Sequence, residues 1–276
     1  MKLRNFNIDN SEPMILMGGM NVLESRDIAM NVAEKFKKVT DKNDIGYIFK
    51  GSFDKANRSS ISSFRGPGID EGLKILQEIS NTFDIPVITD IHEPEQAILV
   101  SEICEVIQIP AFLARQTDLV RAAAQTKSII QFKKPQFLSA QEMANVVEKC
   151  ESAGNKNITL CERGNSFGYN NLVVDTLNFQ ILKKILKPVI FDVTHSLQLP
   201  GGLGTSTDGR REFVLSLAKA GMSQSIAGLF LEAHPNPDEA KCDGPCALPL
   251  SCLDEFLTQT KELDDFVKNQ NDFEIK

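Results

Sequence analysis

The segment Phe49-Lys50-Gly51-Ser52-Phe53-Asp54-Lys55-Ala56-Asn57-Arg58-Ser59-Ser60 gathers two lysines, an arginine and paired hydroxyls directly after an apolar run. Ammonium, guanidinium and hydroxyl groups together donate to an anion carrying several oxygens, such as phosphate. Asp54 is the one carboxylate beside them. Lys133, Arg163 and the three histidines (His92, His195, His234) also follow short apolar runs, with Asp90, Glu162 and Glu232 interspersed. Taken singly, each reads as an ordinary solvated loop residue. Taken together they put many cations into one cavity, which is costly unless anions arrive to neutralise them. Two phosphates, or a phosphate with a carboxylate, would balance the count. Asp90 and Glu232 suit sugar hydroxyls, and His195 suits proton transfer because an imidazole titrates near neutrality.

Positioning these groups falls to a strict alternation of apolar runs and amphipathic segments. The runs are 14–17, 46–49, 86–89, 106–109, 129–132, 158–161, 189–192 and 228–231. Each is continuous and strand-length, as expected for parallel strands buried on both faces. Helical patterns lie at 26–40, 69–83, 95–104, 117–126, 140–153, 173–186, 211–220 and 250–268. Ser25 and Ser139 are N-cap candidates, and Gly154 and Gly221 candidate helix ends. Eight such units predict an α/β fold, a single-domain (β/α)8 TIM barrel over residues 1–276; a doubly wound open sheet is the alternative. In a barrel the active site lies at the carboxyl ends of the strands. Asn21, Lys50, Asp90, Gln108, Lys133, Arg163, His195 and Glu232 all fall there.

The totals narrow the function further. With 42% hydrophobic and 24% charged residues the 276-residue chain is of ordinary globular composition. A net charge of −7 argues against non-specific nucleic-acid binding, so the basic cluster is local and suits a small ligand. No apolar run approaches a bilayer span and no secretory signal opens the chain, so no membrane partner and a cytoplasmic location are expected. Six cysteines make neither a disulfide framework nor a CxxC pair. Cys104, Cys150 and Cys161 read as buried hydrophobes, and the spacing of Cys242, Cys246 and Cys252 matches no usual zinc finger.

The Lys50–Ser60 segment resembles the signature loop of the 3-deoxy-D-manno-octulosonate 8-phosphate synthase family. So do Gly18-Gly19-Met20-Asn21, Thr89-Asp90-Ile91-His92, Ile109-Pro110-Ala111-Phe112, Cys161-Glu162-Arg163-Gly164, Asp192-Val193-Thr194-His195, Glu232-Ala233-His234-Pro235 and Lys241-Cys242-Asp243-Gly244. The likeness runs through nearly the whole chain in order. It implies condensation of phosphoenolpyruvate with D-arabinose 5-phosphate for lipopolysaccharide synthesis. By motif, Lys55, Lys133, Arg163, Gln108 and Ala111 would hold phosphoenolpyruvate, and Lys50, Asn57 and Asp90 would face the pentose. Arg58 and Ser59 would bind the pentose phosphate, reaching a neighbour's site in a homotetramer. His195, Asp243, Glu232 and Asn21 would form the catalytic corner.

The family divides into metal-using and metal-free types, the former carrying a cysteine where this chain has Asn21. An amide oxygen is a much poorer ligand for a transition metal than a thiolate, so no metal and no cofactor are expected. Pro200-Gly201-Gly202-Leu203-Gly204 points the other way, being similar to the metal-using type. The glycine-rich stretch from Leu199 to Gly209 lacks P-loop lysine spacing and reads as a lid. Rival readings are a heptulosonate 7-phosphate synthase using erythrose 4-phosphate, a Schiff-base aldolase on Lys133, and a non-catalytic sugar-phosphate sensor.

Overall fold

Each apolar run becomes one strand of a closed parallel barrel. The computed structural model describes residues 1–202 and 207–271. The barrel strands are β1 Ile15–Val22, β2 Gly46–Ser52, β3 Val87–Asp90, β4 Val106–Ile109, β5 Ile129–Lys133, β6 Ile158–Glu162, β7 Val189–Asp192 and β8 Gly228–His234. They pair in chain order, and β8 closes on β1 with Gly228 opposite Ile15. Between them run α1 Arg26–Lys42, α2 Ile69–Phe83, α3 Gln96–Ser101, α4 Thr117–Ala124, α5 Met143–Ser152, α6 Leu177–Lys183, α7 Val214–Met222 and α8 Leu253–Lys268.

Successive strand residues face opposite ways, so two cores form. Ile15, Met17, Ile48, Ile88, Ile190 and Phe230 fill the barrel interior. Leu16, Phe49, Ile107 and Leu229 face outward onto helix residues such as Phe36 and Ile79. A short antiparallel hairpin, Lys2–Leu3 with Phe6–Asn7, adds Leu3 and Ile8 to the interior core. Arg4 anchors that hairpin, donating to Glu105, to Asp84 at 3.0 Å and to Ser80 at 2.9 Å. Two-residue strands carry no periodicity, which is why the sequence gives no sign of them.

Several boundaries differ from the sequence reading. β2 continues to Ser52, so Lys50 lies inside the strand rather than beyond it. Gly19 sits opposite Lys50 across β1, and a Cβ there would strike the Lys50 carbonyl; glycine lets the strands close up. Gly221 does not end a helix. It lies within α7, where its missing side chain makes room for the Phe191 ring. Gly154 does follow α5, at φ 108°. The helix expected over 173–186 is shortened to α6 because Leu172–Val173 pairs with Asn165–Ser166 in an antiparallel ribbon. Ser25 accepts from the Ile28 N–H, and Ser139 and Glu142 exchange hydrogen bonds as in a capping box. Leu199 and Gln198 pair with Asp208 and Gly209; the centre of the expected lid, 203–206, lies outside the described residues, as does 272–276. No described helix is long and apolar enough to cross a membrane.

Closure of the barrel depends on Gly228, where a Cβ would collide with the Ile15 backbone. Gly228→Ala is expected to lower unfolding free energy by about 3 kcal/mol or to prevent folding, because both strands are fixed by their other neighbours. Gly154→Ala, with open space around it, should cost only about 1 kcal/mol of backbone strain. Urea denaturation of both variants checks the difference, and equal losses would contradict it.

Candidate active site

At the carboxyl ends of the strands the barrel opens into a cavity of about 600 Å³. β3, β4 and β5 contribute Asp90, Gln108 and Lys133 to its walls from their carboxyl ends. The long connection after β2 adds Lys55, Asn57, Arg58 and Ser59, and the turn after β4 adds Ala111. Arg163 comes from just beyond β6, and His195 and Asp243 from the segments after β7 and β8. Asn21, Lys50 and Glu232 are not on the wall. They lie beneath it, at 7%, 0% and 1% exposure.

The buried layer is a hydrogen-bonded base for the wall. Lys50 Nζ lies 2.8 Å from both the Asn21 carbonyl and Ser52 Oγ, and 3.2 Å from Glu232 Oε1. Ser52 Oγ in turn donates to Asp90. Burial and the neighbouring Lys55 lower the Lys50 pKa to about 8, against the attraction of Glu232 and Asp90. Burial opposes charge on Lys55 too, but Asp90, Glu232 and Asp243 outweigh it and raise its pKa. Lys55 therefore meets the cavity as a firmly charged ammonium. His92, 3.3 Å from Asp90 Oδ2, completes that side.

Opposite stands a cluster around Asp192, a residue the sequence reading quoted but gave no role. Its Oδ2 accepts from Lys133 Nζ and lies 2.7 Å from His195 Nδ1, while its Oδ1 accepts the His195 N–H at 2.9 Å. Burial alone would raise the Asp192 pKa; His195 and Lys133 hold it far below the usual carboxylate range. The Lys133 ammonium also sits 3.0 Å from the centre of the Phe230 ring. Beside it Arg163, 5% exposed, has one terminal nitrogen, Nη1, without a hydrogen-bond partner, and Gln108 Oε1 is likewise unpartnered. Unsatisfied buried groups of this kind are expensive unless a ligand meets them.

Glu162 and Lys134 explain how Arg163 is presented. Both are fully buried and 3.5 Å apart, and Glu162 Oε1 accepts from the backbone N–H groups of Arg163 and Gly164 at 2.9 and 2.7 Å. Neither lines the cavity; they shape the turn that does. His234 is also off the wall, 3.5 Å from Glu24. Arg58 and Ser59 line the cavity of their own chain, with the Arg58 guanidinium against Cys242 and 3.4 Å from the Lys241 carbonyl. Asp54 is engaged by Arg65, at 2.8 Å, rather than by the cavity cations. Cys104, Cys150 and Cys161 are buried as expected; Cys242 and Cys246 are buried too, and Cys252 is exposed.

Asn21 decides what the corner formed with His195, Glu232 and Asp243 can hold. Its amide nitrogen donates to Glu232 Oε2 at 2.7 Å and to Asp243 Oδ2 at 2.8 Å, and stands 3.5 Å from His195 Nε2. The side-chain nitrogen thus lies within 3.5 Å of all three other groups, and the side-chain oxygen is buried and unpartnered. This arrangement does not fit a divalent cation: the carboxylates are already satisfied by N–H donors, and the amide presents its donor rather than its ligand atom.

Residues 3–269 match the DAHP synthetase I family. The chain is 61% identical to the 2-dehydro-3-deoxyphosphooctonate aldolases of Ectopseudomonas mendocina (strain ymp) and Pseudomonas syringae pv. syringae (strain B728a). It is 62% identical to that of Pseudomonas putida (strain GB-1). Each match spans 269 residues, 98% of this chain and 96% of the relative.

Asp192 has its pKa lowered by folding, so its stabilising effect is full above the unfolded carboxyl value, about 4, and fades only below it. Asp192→Asn is expected to lower stability by about 3 kcal/mol, the cost of breaking a buried pair. Denaturation from pH 8 to pH 4 should show a constant gap from wild type down to about pH 5. A gap that already closes between pH 8 and pH 5 would contradict this assignment to the carboxylate.

Proposed function

The chain belongs to the DAHP synthetase I family, and we propose that it shares the activity of its 2-dehydro-3-deoxyphosphooctonate aldolase relatives. Phosphoenolpyruvate condenses with D-arabinose 5-phosphate and water to give 3-deoxy-D-manno-octulosonate 8-phosphate and inorganic phosphate. The observation that carries the reading is the meeting of Lys55, Arg58, Lys133 and Arg163 around one cavity, with Arg163 Nη1 unpartnered.

Lys55, Lys133 and Arg163 take the carboxylate and phosphate of phosphoenolpyruvate, beside Gln108 and Ala111. Asn57 and Asp90 meet the pentose, Lys50 supports Asp90 from below through Ser52, and Arg58 and Ser59 take the pentose phosphate. Clamping both anions holds C3 of the enol against the aldehyde carbon, so most of the catalysis is orientation and charge stabilisation. The double-bond electron pair forms the new carbon–carbon bond, the aldehyde oxygen gains a proton, and water adds to C2 and loses one. Phosphate then leaves C2. His195, its ring oriented by Asp192, manages the proton with Asp243 and Glu232. No step is routed through a metal, because the Asn21 amide bridges the acidic groups.

A Schiff-base route on Lys133 is disfavoured by the pairing of its ammonium with Asp192, since a nucleophilic amine must be neutral. Cytoplasmic metabolites as substrates, lipopolysaccharide synthesis as the destination and a homotetrameric assembly belong to the same proposal.

Phosphate release with each aldose phosphate tests the function: turnover is expected with arabinose 5-phosphate and at most a trace with erythrose 4-phosphate. The reverse preference would favour the heptulosonate enzyme. Dialysis against a chelator should leave the rate unchanged, while Asn21→Cys should make it rise on adding a divalent cation. Loss of wild-type activity on chelation, restored by metal, would contradict the metal-free reading. If Arg58 serves a neighbour's site, assemblies mixing Arg58→Ala and His195→Ala chains should regain activity that neither has alone; no recovery would place Arg58 in its own chain's site.

A further inference from the structure

The Arg163 guanidinium has one terminal nitrogen tied and one untied. Nη2 donates to Gln198 Oε1 at 2.7 Å, while Nη1 has no partner. Gln198 is 9% exposed and lines the same cavity. The type of acceptor matters. A carboxylate in this place would hold the guanidinium equally well but would neutralise it. A neutral amide oxygen fixes its plane and leaves its full charge for an incoming anion. Asp192 already balances Lys133, so Arg163 is the guanidinium on this side whose hydrogen-bonded side-chain partner carries no charge.

Gln198 is itself held in place. It opens the two-residue strand that pairs with Asp208–Gly209, with Gly209 directly opposite. At Gly209, a side chain would run into Pro245 and the Cys246 sulfur, so this stem packs on the turn just after Asp243. Arg210 continues it, its N–H on the Leu197 carbonyl at 3.2 Å and its Nη2 on the Leu172 carbonyl at 3.1 Å. The acceptor that sets Arg163 is thus built into the ribbon bordering the catalytic corner.

We propose that Gln198 is a positioning residue for the anion site: its side-chain oxygen aims Arg163 at phosphoenolpyruvate without drawing on the guanidinium charge. This rests on the reading of Arg163 as a phosphoenolpyruvate ligand. The sequence offers no cue to it, since a glutamine three residues after a histidine matches no motif.

The test compares Gln198→Ala and Gln198→Glu with wild type by steady-state kinetics, by calorimetric binding of phosphoenolpyruvate, and by thermal melting to show that each variant is folded. Gln198→Ala should raise KM for phosphoenolpyruvate about tenfold, the range for one hydrogen bond to a charged group, and change KM for the pentose less than about twofold. Gln198→Glu keeps size and acceptor yet should bind phosphoenolpyruvate more weakly than Gln198→Ala, because its carboxylate competes with the substrate anion. Wild-type affinity in both variants, equal rises in both KM values, or a glutamate variant as good as wild type would each overturn the proposal. A wild-type protein that binds phosphoenolpyruvate but releases no phosphate would instead overturn the functional reading, and the binding order of the variants would still test Gln198.

Discussion

One buried carboxylate, that of Asp192, joins the two halves of the site. The same oxygen that accepts from Lys133 also meets the His195 ring nitrogen, and its partner oxygen holds the His195 backbone. A charge at 0% exposure is tolerable only when paired and hydrogen-bonded, and here both conditions are met by groups that also face the cavity. Fixing the imidazole through Nδ1 turns Nε2 towards Asn21, Glu232 and Asp243. The Lys133 ammonium and the His195 imidazole, proposed above to hold an anion and to move a proton, therefore share a common anchor.

The rest of the wall follows the same logic of balanced but incompletely spent charge. Lys50 is committed below the floor to Glu232, Ser52 and the Asn21 carbonyl, so it lends order rather than reach. Lys55 keeps its charge because several carboxylates surround it, while Arg163, whose pKa burial lowers, has an amide as its hydrogen-bonded side-chain partner. Donors fixed in advance need no rearrangement when the charge on a bound anion shifts.

Much of this was legible in the chain. Continuous apolar runs alternating with amphipathic segments give the barrel, because only strands buried on both faces need to be apolar throughout. The strand ends then point to Asp90, Lys133, Arg163 and His195, all of which line the cavity. What stayed hidden depends on side-chain direction and on contacts between distant residues. Lys50 and Glu232 sit within strands whose residues alternate inward and outward, and no pattern along the chain says that their heads meet beneath the floor. Gly221 reads as a helix end but answers to Phe191, thirty residues away in sequence. The Asn21 amide ties β1 to Glu232 of β8 and to Asp243 in the segment after it, more than two hundred residues away, and the ribbon carrying Gln198 is too short to leave a periodic signal.

The anchoring role of Asp192 is the claim on which the account stands or falls. Calorimetry of phosphoenolpyruvate binding together with single-turnover phosphate release in Asp192→Asn measures it directly. Both should fall: affinity by about tenfold as Lys133 loses its anchor, and the chemical step by about a hundredfold as His195 loses its fixed ring orientation. Wild-type affinity combined with a wild-type single-turnover rate would show that neither group depends on this carboxylate, and would contradict the account.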